Sequence, residues 1–119
     1  MRFNPSQKLN EFPCSVVALA SATDLSHFNN EEIKEIMNHC KKDGYMSLKC
    51  MDKMIKKFYN LKEEREYKTY ERPTLEHFLN TNNRNAIVCV VGHFIYVEGS
   101  DYFSFFNNDK DKIVKVWYI

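Results

Sequence analysis

Glycine is scarce, with three residues among 119 and none close to another, so the chain has no Gly-rich loop of the kind that cradles nucleotide phosphates. An excess of one charge is also missing. Seventeen Lys and Arg stand against sixteen Asp and Glu, a formal net charge of +1, which excludes the concentrated basic field of a general nucleic-acid binder. The longest apolar run, Ala86 to Val91 and on through Phe94 to Val97, is broken by Gly92 and His93 and falls short of a bilayer span. No two cysteines have Cys-x-x-Cys spacing. The opening Met1-Arg2-Phe3-Asn4-Pro5 lacks the charged, apolar and small succession of a secretory leader. The expectation is a cytoplasmic protein without cofactor or membrane partner, whose four cysteines (Cys14, Cys40, Cys50, Cys89) are thiols.

Apolar residues make up 44% of the chain and charged ones 28%, enough for one core and one domain spanning residues 1–119. Helical signals come first. From Pro13 the run Cys14-Ser15-Val16-Val17-Ala18-Leu19-Ala20-Ser21-Ala22 is small and apolar nearly all round, as in a helix buried on most faces, and proline suits its first turn. A second helix is expected from Asn29 as N-cap, with Glu32 completing a capping box, Ile33, Ile36, Met37 and Cys40 as its stripe and Gly44 as its stop. Ser47 caps a third, whose stripe is Leu48, Met51, Ile55 and Phe58, with Asp52 among the residues placed towards water. Glu66 to Glu71 reads as a short edge strand, and Thr74 caps a short helix through Leu75, Phe78 and Leu79.

From Ala86 the period changes to that of strands: Ala86 to Val91, His93 to Glu98, Tyr102 to Phe106 and Lys112 to Tyr118. Gly92, Gly99-Ser100 and residues 107–111 supply turns, and such short connections imply antiparallel neighbours. The fold class is α+β, N-terminal helices followed by an antiparallel sheet. Aromatic residues gather in this second half. Phe105 and Phe106 cannot face the same side of a regular strand, so either one face meets a partner or helices cover both faces.

Two residues carry the chemistry. Cys14 opens a buried helix, where the first backbone N–H groups favour a thiolate and can receive an oxyanion. His93 opens a central strand directly after Gly92, the position from which an imidazole can serve a thiol brought close by folding. Zinc is the competing chemistry, with Cys89 and His93 joined by His39, Cys40 and Cys50. It is set aside because Cys40 falls on a core-facing stripe and Cys89 and His93 lie on opposite sides of a turn, so no metal is expected.

The run Phe12-Pro13-Cys14-Ser15-Val16-Val17-Ala18-Leu19-Ala20-Ser21-Ala22-Thr23-Asp24-Leu25-Ser26 resembles the Cys-centred, Ala-rich helix of small phage-type proteins with the papain-like cysteine peptidase fold. Pro73 to Leu79, Ala86 to Val91 and Gly92-His93-Phe94-Ile95-Tyr96-Val97-Glu98-Gly99 resemble that group's short helix, strand and Gly-His strand, in the same order. The resemblance implies a minimal papain-like domain with Cys14 as nucleophile and His93 as general base and acid. It also implies an oxyanion hole with an amide side chain ahead of the cysteine, for which Gln7 and Asn10 are available. Two positions depart from the family's pattern. Pro13 stands where Asp usually precedes the cysteine, and Ser104 falls near the place of an acidic orienter. If Gly99-Ser100 is a two-residue turn, His93 faces Phe106, and a one-residue change of register brings Asn107 opposite the imidazole. Asn107 is therefore the expected orienter in a Cys-His-Asn set, with Asn108, Asp109 and Ser104 as alternatives.

The function implied is that of a thiol hydrolase, a cysteine peptidase or isopeptidase-like enzyme that cleaves an amide or thioester bond in a protein or peptide. The alternative is a non-catalytic phage accessory or inhibitor protein using the same scaffold to bind a host protein, placed in the host cytoplasm.

Overall fold

Residues 86–91 are apolar at every position, a pattern a strand can hold only when both its faces are covered. The computed structural model, which describes residues 1–10, 12–22, 31, 38 and 46–119, shows what covers them. Strand β3 (Asn85–Val90) lies inside a six-stranded sheet with β1 (Arg2–Phe3), β2 (Glu63–Glu66), β4 (His93–Glu98), β5 (Asp101–Phe103) and β6 (Ile113–Tyr118), in the order β1-β5-β4-β3-β6-β2. Helices α1 (Cys14–Ser21) and α2 (Leu48–Phe58) pack on Ile87, Cys89, Phe94, Tyr96 and Trp117. Helix α3 (Leu75–Leu79) covers the opposite face against Val88, Val90, Ile95, Val97 and Val116. Helices on both faces account for the late aromatic and aliphatic density.

Local signals place the helices. Pro13 precedes α1 at φ −58°, and the buried run Ser15 to Ala20 leaves this helix no solvent face. Ser47 Oγ accepts from Cys50 N at 3.2 Å and Thr74 Oγ1 from His77 N at 3.2 Å, so both expected caps are made. Asp52, expected towards water, is half-buried and accepts from Trp117 Nε1 at 3.1 Å, which ties α2 to β6. The expected helix from Asn29 lies outside the described residues apart from Glu31 and Asn38, which are helical.

The sheet departs from its expected form in four respects. It is mixed rather than antiparallel, because β1 pairs with β5 in parallel. The edge strand on the acidic segment is Glu63–Glu66, paired with β6, and Thr69–Glu71 is a 3₁₀ turn. Strand β6 pairs with β3, not with the strand that precedes it. Residues 107–111 are thus a crossing over the end of the sheet and not a hairpin. The crossing is anchored where Leu75 N donates to Asp111 O, Glu76 N to Asp109 O and Val91 N to Lys112 O. Finally, β5 stops at Phe103, which frees Phe105 and Phe106 from strand alternation. The two-residue turn at Gly99-Ser100 holds as expected, with Glu98 opposite Asp101, and Gly99 takes φ +64°.

Candidate active site

The first turn of α1 and the residues that follow β5, Phe105 and Phe106, line one cavity at one end of the sheet. Helix α1 packs against β4, and both begin at this end, α1 with Cys14 and β4 with His93. Cys14 and His93 line one cavity of about 190 Å³ together with Asn10, and Phe12, Val17, Phe94, Phe103, Phe105 and Phe106 supply its apolar wall. Ligand pockets run from about 300 Å³ upwards, so this cavity suits one apolar side chain or a short acyl group rather than a whole small-molecule ligand. Phe103 stacks between Phe3 and Tyr96, with centroid separations of 5.7 and 5.6 Å, so that part of the wall is rigid. Phe106 is 65% exposed and meets the His93 ring in a T-shaped contact at 5.8 Å, at the rim.

His93 is half-buried, and its hydrogen-bond surroundings select a tautomer. Ser104 Oγ lies 3.4 Å from His93 Nε2, accepts from Phe106 N at 3.1 Å and donates to Asn108 Oδ1 at 2.6 Å. A hydroxyl has one proton, and here it goes to Asn108, so Ser104 meets the imidazole as an acceptor. The orientation of the Asn108 amide is fixed in turn, because its Nδ2 donates to Asp111 Oδ2 at 2.7 Å and a carboxylate only accepts. Nε2 of His93 therefore carries the proton and Nδ1 holds the lone pair. Burial pushes the His93 pKa below the ordinary value of 6.5, and the nearby Asp111 carboxylate pulls it partly back. A neutral imidazole is the resting form at neutral pH.

Asn107 does not reach the imidazole. It is exposed, and its Oδ1 accepts from Asp109 N at 3.0 Å. Asp109 is engaged with Tyr102, whose hydroxyl donates to it at 2.7 Å. The chain leaves the β4 ladder after Phe103, so the register expected to bring Asn107 opposite His93 is never reached. Ser104 stands next to the ring and Asn108 behind it; they are 1% and 5% exposed. Of the two amides expected near the oxyanion, Asn10 lines the cavity, whereas Gln7 sits exposed in a 3₁₀ turn (Gln7–Leu9) outside that lining. Asp111 was not legible as a site residue, because residues 107–111 have the composition of an ordinary turn.

The other described cysteines differ from Cys14. Cys89 is buried on β3, its thiol donates to Val90 O at 3.4 Å, and burial, with the Cys14 sulfur adding to it, pushes its pKa up to about 12. Cys50 lies on α2, and Cys40 is outside the described residues. Among the described residues no three His, Cys, Asp or Glu side chains gather as a metal ion requires. A larger, more polar cleft of about 380 Å³ opens beside α3, where Arg65, Tyr67, Glu71, His77, Arg84 and Tyr118 contribute. Its Arg84 is paired with Glu63 at 3.5 Å and lies 3.9 Å over the Tyr118 ring. Among the described residues no helix is long and apolar enough to cross a membrane. In comparisons with known proteins, the chain matches no protein-family model, no curated protein and no solved structure.

Proposed function

We propose that the protein is a small thiol hydrolase with a papain-like arrangement that cleaves an amide or thioester bond in a peptide or protein. One observation carries the reading: a cysteine at a helix start and a histidine at a strand start line the same apolar cavity. In the reaction, His93 Nδ1 takes the Cys14 proton and the sulfur attacks the carbonyl carbon. The Cys14 backbone N–H and the Asn10 side chain are the donors assigned to the oxygen that becomes negative, since both residues line the cavity. As the carbon–nitrogen or carbon–sulfur bond breaks, the imidazolium returns its proton to the departing amine or thiol, leaving an acyl thioester on Cys14. Water, deprotonated by His93, then releases the acid and restores the thiol. The size and lining of the cavity favour a substrate with one apolar side chain beside the scissile carbonyl.

The direct test is mass spectrometry of the protein during turnover of an activated ester bearing an apolar acyl group. The reading predicts a single acyl adduct on Cys14 that disappears by hydrolysis and is absent from Cys14→Ala. Absence of an adduct in the wild-type chain overturns it.

A second reading has an observation of its own. The group beside His93 is a neutral hydroxyl, Ser104, and a weakly supported imidazole also suits a scaffold that binds a host protein without turnover. That reading, which includes the phage accessory or inhibitor role, predicts an unmodified Cys14 in the same experiment.

A further inference from the structure

Behind the imidazole runs a line of three side chains that ends on a carboxylate. His93 Nε2 points to Ser104 Oγ at 3.4 Å, Ser104 donates to Asn108 Oδ1 at 2.6 Å, and Asn108 Nδ2 donates to Asp111 Oδ2 at 2.7 Å. We propose that Asp111 is the positioning anion of the site, acting on His93 through Asn108 and Ser104. The inference rests on reading His93 as the base for Cys14.

The geometry sets this carboxylate apart from ordinary turn chemistry. The crossing loop is already held by backbone bonds: Asp111 N donates to Asn108 O at 3.0 Å and Leu75 N to Asp111 O at 2.9 Å. Asn108 N is separately bound to Tyr102 Oη at 3.0 Å. The side-chain bond from Asn108 to Asp111 is therefore not needed to close the turn. What it does is fix the amide so that its oxygen faces Ser104, and that in turn makes Ser104 an acceptor towards the ring. Each link polarises the next, so negative charge on Asp111 favours a proton on His93 at a distance. The neighbouring Lys110 is committed to Glu76, which leaves the loop's cation elsewhere. Among the described residues, Cys14 from α1 shares the cavity with the ring, and Asp111 is the charged group that bears on its titration.

Asp111→Asn tests the proposal, because the amide keeps an acceptor for Asn108 Nδ2 while removing the charge and the acceptor-only character that fixes the Asn108 amide. The readout is the NMR titration of the His93 ring, assigned by comparison with His93→Gln. The midpoint is expected to move to lower pH, and Cys14 alkylation near pH 6 to slow by about threefold. Adding Asn108→Asp to Asp111→Asn puts a carboxylate one link closer and is expected to return the midpoint to the wild-type value or beyond it. The double variant also covers the case in which Asp111→Asn alone folds poorly, because it restores a donor and an acceptor-only partner between positions 111 and 108. An unchanged midpoint in folded Asp111→Asn overturns the proposal even if Cys14 is acylated normally. A shifted midpoint supports it even if no acyl adduct forms on Cys14, and then the hydrolase reading alone fails.

Discussion

Ser104 Oγ and His93 Nε2 stand 3.4 Å apart, and because the serine proton is committed to Asn108 the hydroxyl can only accept from the ring. A neutral hydroxyl thus stands beside the imidazole where an acidic or amide residue is expected. It selects one tautomer and puts the lone pair on Nδ1, in a ring that lines the cavity Cys14 shares.

Ser104→Ala removes that acceptor and also leaves the buried Asn108 Oδ1 without its donor. An unpaired buried acceptor costs about 1–3 kcal/mol, so urea unfolding is expected to show a loss in that range, together with slower Cys14 alkylation. Unchanged stability and unchanged thiol reactivity together would remove Ser104 from the site.

Stability should fall as acid is added before most carboxylates titrate. Burial holds the folded His93 pKa below its ordinary 6.5, so the unfolded chain takes the proton first. The stability this contributes is complete above 6.5 and is lost as pH falls through that value towards the depressed folded one. Urea titrations between about pH 7.5 and 5 are expected to show this slope in the wild-type chain and a flatter one in His93→Gln.

Cys89 should be silent where Cys14 reacts. With its thiol raised to about 12, Cys89 is expected to resist alkylation in the folded protein at about pH 8 and to react once urea unfolds the chain. Peptide mass mapping of labelled cysteines reads both states, and equal labelling of Cys14 and Cys89 in the folded state contradicts the assignment of environments.

Asp52 serves the fold rather than the site. Asp52→Ala leaves the Trp117 indole N–H without its acceptor between α2 and β6 and removes the Asp52–Lys56 pair. The expected loss is about 1–3 kcal/mol, with Asp52→Asn recovering most of it because Oδ1 remains an acceptor. Equilibrium unfolding of both variants checks the difference.

What was legible in the sequence was local. Ser47 and Thr74 announce their helices through side chains that bond backbone three residues on, and Gly99-Ser100 announces its turn through backbone conformation. Glu98 therefore meets Asp101 as expected. The position of β6 beside β3 depends on pairing between residues about 30 apart, as in Val88 with Val116, and no local signal in residues 107–111 distinguishes a crossing from a hairpin. The choice among Asn107, Asn108, Asp109 and Ser104 stays open in the sequence for the same reason. Where β5 ends decides whether Asn107 or Ser104 comes beside the imidazole, and the ladder with β4 ends at Phe103, with Ser104 next to the ring. That Cys14 opens a helix and His93 a strand was legible, because both starts leave their marks in neighbouring residues, Pro13 and Gly92.

The most direct measurement is the alkylation rate of Cys14 against pH, resolved by peptide mass, in the wild-type protein and in His93→Ala. An activated pair predicts that Cys14 alone reacts near pH 6, at least about tenfold faster than an unperturbed thiol, and that the advantage is lost without His93. A Cys14 that reacts no faster than an ordinary thiol, and does so equally in His93→Ala, contradicts the account.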